Sequence, residues 1–208
     1  MTKSVEISAK TVEEAVLEGI NLLGVKRNNI KVEVINEPSQ GFFKIIGNKP
    51  AKVKVSILRE PEEYIKHFLL QIMNKIGLNG DVNILTKDEE NIKLEIVGDS
   101  MGVLIGKRGS TLNSLQYLAN IVYHRQFSLD KKRILIDIEN YRQKRKKSLE
   151  TLAYNLALKV TKTEKEIELE PMSAQERRII HLSLKNNKKV TTFSKGEEPN
   201  RKVVIAMR

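Results

Sequence analysis

Apolar positions along this 208-residue chain follow two periods, and each switch between them marks an element. Residues 1–60 predict a β-α-β-β segment. Thr11 and Glu14 form a capping box, so a helix starts there. Val12, Ala15, Val16, Gly19, Ile20 and Leu23 recur at helical spacing, and Gly24 supplies the stop. Ile30, Val32 and Val34 alternate with charged residues, as do Val53, Val55 and Ile57, the pattern of half-buried strands. Between them lies a turn-rich apolar stretch, Gly41-Phe42-Phe43-Lys44-Ile45-Ile46-Gly47-Asn48-Lys49-Pro50. Arg59-Glu60-Pro61 reads as a boundary.

Residues 61–139 predict α-β-β-α-α-β. An amphipathic helix over 62–77 ends at Gly77, and strands follow near 81–87 and 91–97. After Gly102-Val103-Leu104-Ile105-Gly106-Lys107-Arg108-Gly109 comes a helix over about 110–126, with Leu112, Leu115, Ala119 and Val122 on its apolar face. Ile134, Ile136 and Ile138 alternate in a closing strand. Residues 140–208 open with a long helix from Tyr141, whose apolar side is Leu149, Leu152, Ala153, Leu156, Ala157 and Val160. Ser173 and Glu176 form a second capping box, starting a helix that runs to Asn186. Strands near 190–195 and 201–207 close the chain. The fold class expected is α+β, with three small domains in series over 1–60, 61–139 and 140–208.

Charge changes the picture next. There are 37 Lys and Arg against 26 Asp and Glu, a net +11. The first two segments hold net +3 and −1, so most of the excess lies after residue 140, at net +9. Polyanions are therefore the partner class to test first. The absence of Cys excludes disulfides, thiolate metal sites and Cys nucleophiles, and it suits a reducing compartment. The three His have no Ser or carboxylate partner at a readable spacing. Acidic runs such as Asp88-Glu89-Glu90 and Glu197-Glu198 fall in turns, where carboxylates are ordinarily solvated. No apolar run approaches a membrane span, and the first residues reach Glu6, Glu13 and Glu14 without a leader-like apolar core. The expectation is a cytoplasmic protein, neither an enzyme nor an integral membrane protein, with no metal or cofactor.

The informative motif is Gly106-Lys107-Arg108-Gly109, with Ser110 opening the next helix. Two glycines three apart let backbone approach a sugar-phosphate chain, and N–H groups at the following helix start favour its negative charge. Lys107 and Arg108 add two cations at the same turn. A G-x-x-G string alone is more often an ordinary turn than a site. Here the P-loop and dinucleotide spacings both fail, and what remains is the geometry of a loop clamping about four nucleotides of a single strand. Arg142, Lys144, Arg145, Lys146 and Lys147 make five basic residues in six, read as a solvated face, as a phosphate-tracking ramp or, less strongly, as a contact for anionic lipid.

Residues 78–139, with Ile105-Gly106-Lys107-Arg108-Gly109-Ser110-Thr111-Leu112, resemble a type II KH domain. Residues 140–208, with Glu176-Arg177-Arg178-Ile179-Ile180-His181, resemble the Arg-x-x-x-His domain that binds single-stranded nucleic acid. With the N-terminal β-α-β-β segment carrying Gly41-Phe42-Phe43 and Lys49-Pro50-Ala51, this order resembles the Jag family of SpoIIIJ-associated proteins. The resemblance implies that the face of Arg177, His181 and Lys185, spaced i, i+4 and i+8, contacts nucleic acid. The alternative is an amphipathic helix whose His caps a neighbouring strand. Phe193 is left open between a stacking platform and a core residue. The family further implies a single-stranded RNA partner, a role as RNA chaperone or post-transcriptional regulator in cell elongation and envelope synthesis, and pairing as a homo- or heterodimer with a small single-KH protein. It also implies contact with a membrane-protein insertase. The rival from another class is a protein–protein adaptor docking at that insertase.

Overall fold

The computed structural model describes residues 3–38 and 49–208. The chain divides into two compact units, Met1–Leu104 with Thr111–Glu139, and Ile105–Ser110 with Asn140–Arg208. Of the aromatic and glycine-rich stretch singled out above, Gly41–Asn48 lies outside the described residues.

The first unit opens with β1 (Ser4–Ala9), α1 (Val12–Leu23), β2 (Ile30–Asn36) and β3 (Ala51–Ile57). The Thr11 side chain accepts from the Glu14 N–H at 3.2 Å, and Gly24 closes the helix at φ 63°. These strands form an antiparallel sheet of order β1-β3-β2. Central β3 buries Ala51, Val53, Val55 and Ile57 under α1. The helix approaches closely because Gly19 has no side chain: a Cβ there would stand 2.6 Å from Val55 Cγ2. Edge strand β2 departs from expectation, since Val32 and Val34 remain 37% and 48% exposed. The cause is topological, because α1 lies over β1 and β3 and barely reaches β2.

The same unit continues with α2 (Pro61–Lys75), β4 (Gly80–Lys87), β5 (Asn91–Gly98), α3 (Gly102–Ile105), α4 (Ser110–Gln126) and β6 (Arg133–Ile138). Its sheet has order β4-β5-β6, antiparallel then parallel. Leu112, Leu115, Ala119 and Tyr123 form the buried face of α4; fully buried Tyr123 takes the place expected for Val122, which is only half-buried. Contacts cross the boundary expected at residue 60. Val25 bridges to Phe127, and the Ser128 N–H donates to the Gly24 carbonyl at 3.0 Å; within the first sixty residues the Asn29 side chain makes two hydrogen bonds to the Arg59 backbone.

The second unit carries α5 (Tyr141–Thr163), β7 (Ile167–Glu168), α6 (Ala174–Leu184), β8 (Val190–Lys195) and β9 (Lys202–Met207). Its antiparallel sheet has order β7-β9-β8. Leu149, Ala153, Ala157 and Val160 of α5 and Ile180 and Leu184 of α6 pack on Val190, Val203 and Ile205, the inward side of the sheet. Each buried Val, Leu or Ile among them contributes about 1.5–3 kcal/mol. Two-residue β7 has no sequence signature, being too short for a period to show.

Candidate nucleic-acid interface

Backbone conformation builds the loop before α4. Gly106 sits at φ 69°, ψ −174°, a region that only glycine enters freely. Lys107 stays helical, Arg108 turns left-handed at φ 55°, ψ 33°, and Gly109 follows at φ 79°. A right-handed residue followed by a left-handed one turns successive N–H groups toward one concavity, a form that accepts anions. Gly109 has a further purpose that its spacing did not reveal. A Cβ there would stand 2.8 Å from Tyr141 Cε1, so this glycine lets the loop rest on the first residue of α5.

The two loop cations differ. Lys107 is exposed, as is Ser110. Arg108 is half-buried; its guanidinium donates to the Pro171 carbonyl and pairs with the Glu170 carboxylate. Its charge is thus already countered within the second unit.

The basic run of α5 divides in the same way. Arg142, Lys144, Lys146 and Lys147 are exposed. Arg145 turns inward, its Nε donating to Glu176 Oε1 at 2.9 Å and a terminal nitrogen pairing with the same oxygen at 2.7 Å. The other Glu176 oxygen accepts from the Ser173 N–H at 3.2 Å. Glu176 therefore caps its own helix and ties α6 to α5. Arg108 and Arg145 line one groove of about 370 Å³ with Leu149, Leu156, Glu170 and Met172.

On α6, Arg177 is only 7% exposed. It donates to the Met172 carbonyl at 2.7 Å and pairs with Glu198 at 2.7 Å. His181 Nδ1 lies 2.7 Å from Thr192 Oγ1, and Nε2 lies 3.2 Å from Ser194 Oγ. The imidazole thus holds β8 through two hydroxyls, the strand-capping arrangement left open above. Lys185 alone of the three is exposed, at the end of the helix. Two expectations need correction here. Glu198 is not merely a solvated turn carboxylate, and His181 does have hydroxyl partners; both partnerships join residues from different elements, which spacing along one helix does not display. Tyr141, Glu170 and Glu176 likewise support the candidate residues. Of these, only Glu176 had a signal, as a capping residue.

Burial, with the Arg177 charge adding to it, lowers the His181 pKa below its ordinary value. His181 is therefore neutral at neutral pH, one ring nitrogen donating and the other accepting. A lowered folded-state value means the native state binds fewer protons than the unfolded chain. The contribution to stability is then complete above the ordinary His value and is lost as pH falls through the folded one. Proton NMR of the His181 ring in the full chain should give a midpoint below the ordinary His value, and His181→Gln should remove that part of the acid sensitivity seen in urea unfolding. An ordinary midpoint would contradict the assignment.

Among the described residues, no group of three His, Asp or Glu side chains could hold a metal ion, and no helix is long and apolar enough to cross a membrane.

Comparison with known proteins follows the same order of parts. Family models match residues 7–57 as a Jag N-terminus, 62–138 as a KhpA/KhpB KH domain and 147–207 as an Arg-x-x-x-His domain. The chain is 42% identical to an RNA-binding protein KhpB of Clostridium symbiosum over 98% of this chain and 91% of that one. It is 38% identical to an RNA-binding protein KhpB of Bacillus subtilis over 98% of both. A further KhpB, from Lactiplantibacillus plantarum, is 37% identical over 68% of this chain and 43% of its own length. With its three parts in that order and these relatives aligned along nearly its whole length, the chain belongs to the KhpB family.

Proposed function

We propose that this chain is a single-stranded RNA-binding protein that grips phosphates rather than transforming a substrate. The observation that carries the reading is the Gly106–Gly109 loop, where glycine-dependent backbone geometry and exposed Lys107 stand at one turn. Gly106, Lys107, Gly109 and Ser110 hold one stretch of the strand. Exposed Arg142, Lys144, Lys146, Lys147 and Lys185 extend the cationic surface, while Arg108, Arg145, Arg177 and His181 act first by holding these elements in place. The net +9 after residue 140 and the names of the relatives support the same partner. A cytoplasmic setting and a role as RNA chaperone or post-transcriptional regulator in cell elongation and envelope synthesis go with it.

A second reading, protein pairing, is favoured by one observation. Tyr117, Leu118 and Ile121 form an exposed apolar row on α4, a surface suited to another KH-type protein or to an adaptor role at an insertase. Titrating the full chain with a short labelled single-stranded RNA at several salt concentrations tests the first reading. Log affinity should fall linearly with log salt, by about 0.7 per phosphate held. Absence of binding at low salt would leave the adaptor as the function.

A further inference from the structure

Alternation along β8 sends Val190, Thr192 and Ser194 inward and leaves Thr191, Phe193 and Lys195 on the opposite face of the sheet. The inward set is fixed by packing of Val190 in the core and by the His181 bonds to Thr192 and Ser194. Register places Phe193 opposite Val204, Lys195 opposite Lys202 and Glu168 opposite Val204. The outward face of this sheet therefore carries Phe193, Lys195, Lys202, Val204 and Glu168. Phe193 is 44% exposed, a ring at the surface rather than in the core.

The charged groups on this face have an unusual arrangement. Lys195 and Glu168 stand on the two strands that flank β9, offset by two residues and roughly 12 Å apart at the backbone. Their side chains nevertheless meet at 2.6 Å, and Lys202 pairs with the other Glu168 oxygen. Val204 lies between Phe193 and Glu168 in register, and it is fully buried although it lies outside the core cluster. Both lysines converge on one carboxylate, and their hydrogen bonds hold its pKa down to about 2, so it is ionised throughout the physiological range. One internal anion thus sits between two cations beside an open aromatic ring.

We propose that the outward face of the β7-β9-β8 sheet is a second binding surface for single-stranded nucleic acid, on which Phe193 stacks a base and Lys195 and Lys202 take the adjoining phosphate. Glu168 occupies the phosphate position in the free protein. Aromatic stacking supplies affinity with little regard to sequence, since every base presents a π-face. Two lysines sharing one carboxylate leave net positive charge for a phosphodiester. This surface is on the other side of β8 from His181, so a strand held here follows a route separate from the Arg-x-x-x-His face. The inference rests on the RNA-binding reading above and adds a place on the molecule where the RNA lies.

The test uses the full chain, a short labelled oligouridylate and an abasic phosphodiester strand of the same length. Phe193→Leu keeps an apolar cover for Val204 and removes the ring. It should weaken the oligouridylate roughly tenfold and leave the abasic strand unchanged, while Phe193→Tyr binds both like the wild type. Glu168→Gln should tighten both strands several-fold and steepen the salt dependence by about 0.7 for one added phosphate contact. Circular dichroism checks that each variant is folded. Equal losses on both strands, or no loss, for Phe193→Leu overturn the platform; so does unchanged affinity and slope for Glu168→Gln. A wild-type chain that binds neither strand overturns the RNA-binding reading itself, and this surface with it. Wild-type binding with unresponsive variants overturns the surface alone.

Discussion

Lys107→Asp is expected to weaken single-stranded RNA binding roughly tenfold to a hundredfold at low salt, and to flatten the salt dependence by about 0.7. The substitution removes the exposed cation at the clamp and puts repulsion where phosphate must approach. Lys107 is expected to make the larger contribution because its neighbour is engaged elsewhere: Arg108 donates to the Pro171 carbonyl and pairs with Glu170. Arg108→Ala should accordingly cost less affinity, and what it costs should come through the loop's seating in the second unit. Both variants should fold, since substitutions at exposed positions usually shift stability within about 0.5 kcal/mol and Arg108 is only half-buried. Titration of labelled RNA at several salt concentrations, with circular dichroism alongside, reads the outcome. Equal affinity and slope for Lys107→Asp and the wild type would remove the loop from the interface.

Arg177→Ala is expected to act on stability before it acts on RNA. The guanidinium is buried and makes two charge-assisted hydrogen bonds, to the Met172 carbonyl and to Glu198, each at 2.7 Å. Removing it leaves a carbonyl unpaired at the start of α6 and a void beneath the helix. Glu198 is largely exposed and regains water, so the cost falls below that of a fully buried pair, at about 2–3 kcal/mol. That is a large fraction of the stability of a small domain. Hydrogen exchange should show α6 and β8 losing protection, with urea unfolding of the full chain shifted to lower concentration. RNA affinity should fall in proportion to that loss and recover partly at lower temperature. A variant as stable as the wild type that nevertheless loses RNA would instead make Arg177 a direct contact.

Most elements were legible in the sequence because their causes are local. The Thr11–Glu14 and Ser173–Glu176 pairs sit within one helical turn, and both side-chain caps are present. Apolar spacing found the buried faces of α1 and α4 and most of that of α5, where Leu152 stays 42% exposed, as well as the alternation of β3 and β6. It erred where burial depends on what lies above an element. Val32 and Val34 alternate correctly, yet they sit on an edge strand that α1 does not cover. Val122 and Tyr123 were indistinguishable by period alone, and packing chose the ring.

The candidate site was legible as a set of residue types and not as a set of states. Gly106, Lys107, Arg108 and Gly109 announce a cationic turn, but nothing in their order says that Arg108 is paired and Lys107 is open. Arg145 reads as one cation in a run of five, although it is the member that turns inward to Glu176. In each case the deciding partner lies far along the chain. Arg108 and Glu170 are 62 residues apart, Arg145 and Glu176 are 31, and Lys195 and Glu168 are 27.

By itself, then, the sequence determined, among the described residues, the long helices, all but the shortest strand, the N-caps of α1 and α6 and the place of the cationic surplus, because propensity, period and net charge act over a few residues or over whole segments. Tertiary structure alone decided which cations are available to a phosphate. A Coulomb interaction depends on distance in space, and only the folded chain brings Glu170, Glu176 and Glu198 within hydrogen-bonding reach of three of its arginines. It also decided that Phe193 faces outward, since the side of a strand that becomes core is set by the helices laid against it.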